Sequence, residues 1–169
     1  MKDKRKKIII SSFRGFGIYN SRINLIKKLR KNGWDVYILA KNDIYLDFLK
    51  KEGFNVYVIN FTNNPFCFIR NIRNILKITS IINELKPRII HAFNLIVIIN
   101  FCISSFFLFS FKPSFFFTIT GLGRIYKYLD KNIFFNIFIK ILLKCSEKVI
   151  FQNNEDLKFF KKKNLIHPD

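Results

Sequence analysis

The 169-residue chain is poor in the residues that punctuate or cross-link a fold, with 6 Gly, 4 Pro and 3 Cys. Cys67, Cys102 and Cys145 are odd in number and form no CxxC pair. That excludes a disulfide scaffold and a cysteine-based zinc site, and it fits a reducing cytoplasm. His91 and His167 are too few for a histidine metal cluster. Acids are scarce, 11 against 30 Lys and Arg, and no carboxylate pair stands out for glycoside hydrolysis. There is no GxSxG nucleophile elbow and no phosphate-binding P-loop. The basic start meets only Ile8-Ile9-Ile10 before Ser11-Ser12, so the apolar core of a signal peptide is missing.

What is abundant is phenylalanine, at 22, together with Ile, Asn and Lys. AT-rich coding produces this mix, so part of the lysine excess is compositional. A net charge of +19 still favours polyanionic partners: nucleic acid, anionic lipid or phosphorylated substrates. The length suits one compact domain with a substantial core.

Short apolar runs alternate with helical stretches along the chain. Strands are predicted over 7–12, 34–40, 54–60, 88–92, 114–118 and 148–152. Helices are predicted over 20–32, 43–51, 68–85, 94–110, 130–144 and 154–163. Ile23, Ile26 and Leu29 mark one face of the first helix; Ile69, Ile72, Leu76 and Leu85 that of the third; Ile133, Ile137 and Ile141 that of the fifth. Asn32-Gly33, Asn64-Pro65, Lys86-Pro87 and Lys112-Pro113 mark breaks, and Asn153 or Asn154 caps the last helix. Strands that are nearly continuous apolar runs predict an α/β fold: a Rossmann-like parallel sheet of about six strands, covered on both faces. Residues 95–111 carry no charge and, at 17 residues, lie at the lower edge of membrane-spanning length. They read either as a crossover helix packed on the sheet or as a membrane anchor.

Ligands of such sheets bind at the C-terminal ends of the strands. Four polar or glycine-containing loops fall there: residues 11–17, 91–94, 118–124 and 152–156. Gly15-x-Gly17-x-x-Asn20 is a partial dinucleotide fingerprint. No acid ends the second strand (Leu39-Ala40-Lys41), so a nicotinamide cofactor is not expected. The two glycines read either as a tight strand-to-helix turn or as a loop that meets phosphate or sugar. His91 reads as a hydrogen-bonded structural histidine or as an acceptor-site or acid–base residue. Gly121 and Gly123 either relieve backbone strain or let a sugar or phosphate approach the main chain. Arg70, Arg73 and Lys77 form a basic stripe beside the apolar face of the third helix, the pattern of a helix on an anionic membrane surface. Further basic sets lie at Lys2, Lys4, Arg5, Lys6 and Lys7, and at Lys158, Lys161, Lys162 and Lys163. They could also track a nucleic-acid backbone, but no nucleic-acid motif accompanies them, which favours lipid.

Several of these stretches together resemble the N-terminal domain of GT-B-fold glycosyltransferases of family 4. They are the Gly15/Gly17 segment, Ile90-His91-Ala92-Phe93-Asn94, Phe117-Thr118-Ile119-Thr120-Gly121-Leu122-Gly123 and Val149-Ile150-Phe151-Gln152-Asn153-Asn154-Glu155-Asp156. The TITGLG stretch, 118–123, is similar to enzymes of capsule, O-antigen and lipid-linked oligosaccharide synthesis in bacteria. The resemblance implies retaining transfer of a sugar from a nucleotide-sugar to a lipid-linked or glycan acceptor, without a metal or other cofactor. It implies acceptor-binding roles for Gly15, Gly17, His91, Asn94, Thr120, Gly121 and Gly123. It further implies a protein peripheral on the inner face of the cytoplasmic membrane. The donor nucleotide-sugar belongs to a C-terminal domain with paired glutamates, which does not follow within residues 1–169. The expectation is one acceptor-side domain, inactive alone or served by a separate chain carrying the donor domain. Many relatives carry a histidine after the fifth strand where this chain has Thr120-Gly121, so no catalytic residue is carried over. Two other readings stay open, a nonenzymatic membrane protein anchored by 95–111 and a basic nucleic-acid-binding module.

Overall fold

The computed structural model of the chain describes residues 6–62, 68–109 and 111–166. Its strands are β1 (Lys6–Arg14), β2 (Trp34–Lys41), β3 (Asn55–Val58), β4 (Ile89–Phe93), β5 (Ser114–Ile119) and β6 (Lys148–Phe151). Its helices are α1 (Gly15–Lys31), α2 (Ile44–Lys51), α3 (Phe68–Leu85), α4 (Leu95–Ser105), α5 (Tyr126–Lys131), α6 (Ile133–Leu143) and α7 (Asn154–Lys162). All strand pairs are parallel and the order is β3-β2-β1-β4-β5-β6. This is the doubly wound, Rossmann-like α/β arrangement expected from the apolar strands.

The continuous hydrophobicity of the strands follows from burial on both faces. In β1, Ile8 and Ile10 face α1 and α2, where they meet Ile18, Ile26, Leu46 and Leu49. Ile9 faces the other layer, with Ile82 of α3, Phe101 of α4, Ile139 of α6 and Phe160 of α7. Each such side chain, fully buried, contributes roughly 1.5–3 kcal/mol relative to exposure. Asx side chains fix where helices begin. Asp43, Asn94, Asn132 and Asn153 accept backbone N–H bonds from Leu46, Ile96, Phe135 and Asp156 respectively. Asn153 is thus the predicted cap of the last helix.

The structure corrects four boundaries. β1 does not stop at Ser12: a register shift between Ser11 and Arg14 carries the strand on to Arg14. α1 then starts at once, at Gly15, not at Asn20, so Gly15 and Gly17 lie in its first turn. The fifth predicted helix is divided at Asn132, which ends α5 and caps α6. The uncharged 95–111 segment is helical only to Ser105. Eleven residues at ~1.5 Å each give about 16 Å, half of a bilayer core. Among the described residues no helix is long and apolar enough to cross a membrane. α4 is apolar on all sides because it is buried on nearly all sides. Asn100 and Ser104 are tolerated there by bonding to the carbonyls of Ile96 and Asn100 at 2.8 Å.

Two helix faces are also re-phased. Of the predicted α3 face, Leu85 is buried, but Ile72 is 52% and Leu76 60% exposed. The sheet layer takes Ile75, Ile78, Ile82 and Leu85 instead. Likewise Ile133, Ile137 and Ile141 of α6 face outward, while Phe135, Ile139, Leu142 and Leu143 are buried.

Candidate functional site

The strand order reverses direction between β1 and β4: β2 and β3 lie to one side, β5 and β6 to the other. A crevice at the C-terminal ends of these two strands is where doubly wound sheets bind ligands. The end of β1, the end of β4 and the Thr120–Gly123 segment after β5 meet at this edge.

At the end of β1, Gly15 is held by close packing. A methyl group there would run into the Asp43 carboxylate and lie 2.6 Å from the Leu46 backbone nitrogen. Asp43 ties two helix starts together, accepting from Phe16 N at 3.0 Å and from Leu46 N at 2.9 Å. At Gly17 an added Cβ would lie 2.6 Å from Ser12 Oγ. The structural part of the two-glycine pattern is therefore clear: room for α2 at one position and for the β1 bulge at the other.

At the end of β4, Asn94 adopts φ 80° and ψ 134°. Its Oδ1 accepts from Ile96 N at 3.1 Å, and its N–H donates to Thr118 O at 3.1 Å. A non-glycine residue in this region stores of order 1–3 kcal/mol, and such strain concentrates at functional sites. After β5, Gly121 has φ 126° and Gly123 φ 49°, and nothing lies within 4 Å of an added Cβ at either. Their backbone therefore needs glycine, and the space beside it is open to a ligand. Thr120, at the start of this segment, is half-buried.

His91 lies two residues below the edge, in the middle of β4 opposite Ile10 and Phe116, not at the strand end. Its Nε2 shares a 2.8 Å hydrogen bond with Thr118 Oγ1, and its ring stacks on Phe93 at 4.2 Å. Arg22 of α1, a residue the sequence pattern did not single out, places its guanidinium 4.5 Å from the Phe93 ring centroid. Burial, and then the Arg22 charge, lower the His91 pKa to about 4. The imidazole is neutral at pH 7, able to donate or accept one proton in a hydrogen bond but carrying no charge.

This has a measurable consequence. An unfolded chain protonates His91 at about 6.5 and the folded chain at about 4. Stability is therefore intact above pH 6.5 and falls by up to roughly 3 kcal/mol as pH drops towards 4. Thermal melts across this range should show the fall, and His91→Gln should flatten it. An equally steep acid limb in the variant would move its cause elsewhere.

The basic stripe divides differently. Arg73 and Lys77 are exposed on α3, beside the exposed Ile72 and Leu76; the side chain of Arg70 lies outside the described residues. So do Lys2, Lys4, Arg5, Cys67, the Asn64-Pro65 turn and His167.

Comparison with known proteins agrees with this architecture. Among solved structures, MurG of Acinetobacter baumannii superposes with a TM-score of 0.60 at 13% identity, over 86% of this chain and 41% of that one. The lipopolysaccharide outer core galactosyltransferase WaaB gives 0.62 at 13%, over 93% and 42%. The UDP-GlcNAc 2-epimerase of Methanocaldococcus jannaschii gives 0.60 at 16%, over 96% and 44%. At these identities the likeness is one of fold, and the chain spans less than half the length of each. No curated protein matches it. The glycosyl transferase 4-like family model matches residues 7–153, which is most of the chain and includes all three segments of the crevice. The chain belongs to the glycosyl transferase 4-like family, and its fold is that of the N-terminal half of a GT-B glycosyltransferase.

Proposed function

We propose that the chain forms the acceptor-side domain of a retaining glycosyltransferase of cell-envelope polysaccharide synthesis. The acceptor, a lipid-linked or other glycan, sits at the crevice between Gly15–Gly17, His91–Asn94 and Thr120–Gly123. The donor nucleotide-sugar is held by a second domain, in the same protein or on a separate chain, on the opposite side of the crevice. The protein works at the inner face of the cytoplasmic membrane, without a metal.

The observation that carries this reading is the conjunction at one edge of strained Asn94 with the open Gly121–Gly123 backbone. The neutral His91–Thr118 pair lies just beneath. Main-chain groups with no side chain above them suit the close approach of a sugar ring or phosphate. The fold alone does not choose transfer over epimerisation, because both kinds of enzyme superpose on it. The family match over 7–153 favours transfer.

The test is calorimetry with two probes, a short-chain polyprenyl diphosphate-linked sugar and UDP-glucose. The chain alone should bind the first and not the second, and it should release no sugar from either. Gly121→Val, which fills the open space and forbids φ 126°, should weaken binding of the first at least about tenfold. Turnover of the nucleotide-sugar by this chain alone would remove the acceptor-side assignment.

A further inference from the structure

α3, α4 and α6 leave an apolar surface on the side of the sheet away from α1 and α2. A cavity of about 590 Å³ lies there. Ile103 and Phe107 line it from α4 and the turn that follows, Ile72 and Leu76 from α3, and Phe134 and Phe138 from α6. Ile133, Ile137 and Ile141 of α6, and Phe109 in the turn after α4, are exposed as well. Phe109 is 91% and Phe134 81% exposed. Most of the exposed large apolar side chains among the described residues lie on α3, α6 and the turn between α4 and β5. Contiguous apolar area on this scale marks an interaction surface.

Charge chooses the partner. Over residues 53–146 only Glu84 and Asp130 are acidic, and Asp130 pairs with Lys163 at 3.1 Å. Against these stand the exposed Arg73 and Lys77 beside the apolar residues of α3, and Lys127 and Lys131 beside Phe134. A second copy docked on the same face would bring these bases together with few acids to answer them. An apolar layer beneath an anionic surface satisfies both features at once: phenylalanines enter the acyl boundary while lysine and arginine stay among the headgroups.

We infer that the α3–α4–α6 face is the surface by which the domain docks on an anionic phospholipid bilayer. This deepens the membrane-peripheral part of the function proposed above and rests on it. It also supplies an orientation. α3 follows β3 and leads to β4, and α6 follows β5 by way of the short α5 and leads to β6, so both helices run from the C-terminal towards the N-terminal edge of the sheet. Docking by this face sets the Asn94 and Gly121–Gly123 crevice beside the lipid surface, within reach of an acceptor carried on a lipid.

Vesicle flotation tests it, using phosphatidylcholine alone and equal parts phosphatidylcholine and phosphatidylglycerol. The wild-type chain should float with the anionic vesicles and lose binding in high salt. Phe109→Ser combined with Phe134→Ser should reduce binding at least about tenfold, because both side chains are exposed and their loss leaves the core intact. Arg73→Glu combined with Lys77→Glu should reduce it by a similar factor. Ile44→Ser, at an exposed position on α2, should bind as wild type and, like the other variants, melt as wild type. The inference is overturned if the wild-type chain does not float, or if the phenylalanine variant floats as well as wild type. It is also overturned if gel filtration shows a dimer that the phenylalanine variant dissolves, since the face would then meet a second copy. Flotation is read without sugar transfer, so loss of the acceptor reading and loss of this one are separate results.

Discussion

Gly15→Ala is expected to lower the stability of the domain by about 3 kcal/mol and its melting temperature by roughly 9 °C. The new methyl meets the Asp43 carboxylate and the Leu46 backbone, and backbone cannot rotate aside as the end of a long side chain can. Either α2 moves off the sheet, uncovering Leu46 and Leu49, or Asp43 gives up its bonds to Phe16 and Leu46. Asp43→Ala alone should cost about 1–2 kcal/mol through loss of those caps. The double variant should fall short of the sum by about 1 kcal/mol, because part of the clash is with the carboxylate itself. Thermal melts of the four proteins close the cycle. A Gly15→Ala protein that melts with wild type would show that packing does not fix this glycine, leaving ligand approach as its reason.

Asn94→Ala is expected to cost about 2 kcal/mol in chemical denaturation, and Asn94→Gly only a few tenths. Alanine loses the cap to Ile96 and must still hold φ 80°. Glycine loses the same cap but adopts the backbone without strain and is a tolerated N-cap. The contrast separates folding from binding. The glycine variant keeps the chain folded while stripping a polar side chain from the crevice, so a weakened acceptor affinity there would be a direct effect. Equal costs for both variants would mean that the Asn94 conformation stores no strain.

The strands were legible because parallel strands covered on both sides leave an unmistakable trace: Ile8-Ile9-Ile10 and residues 36–40 are apolar without alternation. The start of the last helix was legible where an Asx residue, Asn153, is followed by acids in the first turn, Glu155 and Asp156. The start of α1 was hidden, because Ser11, Ser12 and Phe13 look like a polar loop yet continue β1 through its register shift. The candidate site was legible as a set of loops at one sheet edge, and the family stretches fell on it. What the sequence did not show was depth. His91 looked like a strand-end residue but sits in mid-strand, and Arg22, which presses on Phe93, carries no motif at all. Helix phase was the least legible feature. In α6 (IFFNIFIKILL) apolar residues surround the axis, so no periodicity says which side the core takes. Packing against α4 and α5 decides that Ile139 turns inward and Ile137 outward.

The central place of β1 in the sheet has a further consequence for a chain emerging from the ribosome. β1 is made first among the described strands, and β2 closes one of its edges after a single helix. Its other edge must wait for β4, which follows two more helices and β3. Until Ile89–Phe93 arrives, Ile8 to Ser11 offers unpaired backbone groups along an apolar ribbon. A nascent chain of this kind is sticky until β4 has been made. The interval over which it needs protection is set by topology, however stable the finished sheet becomes.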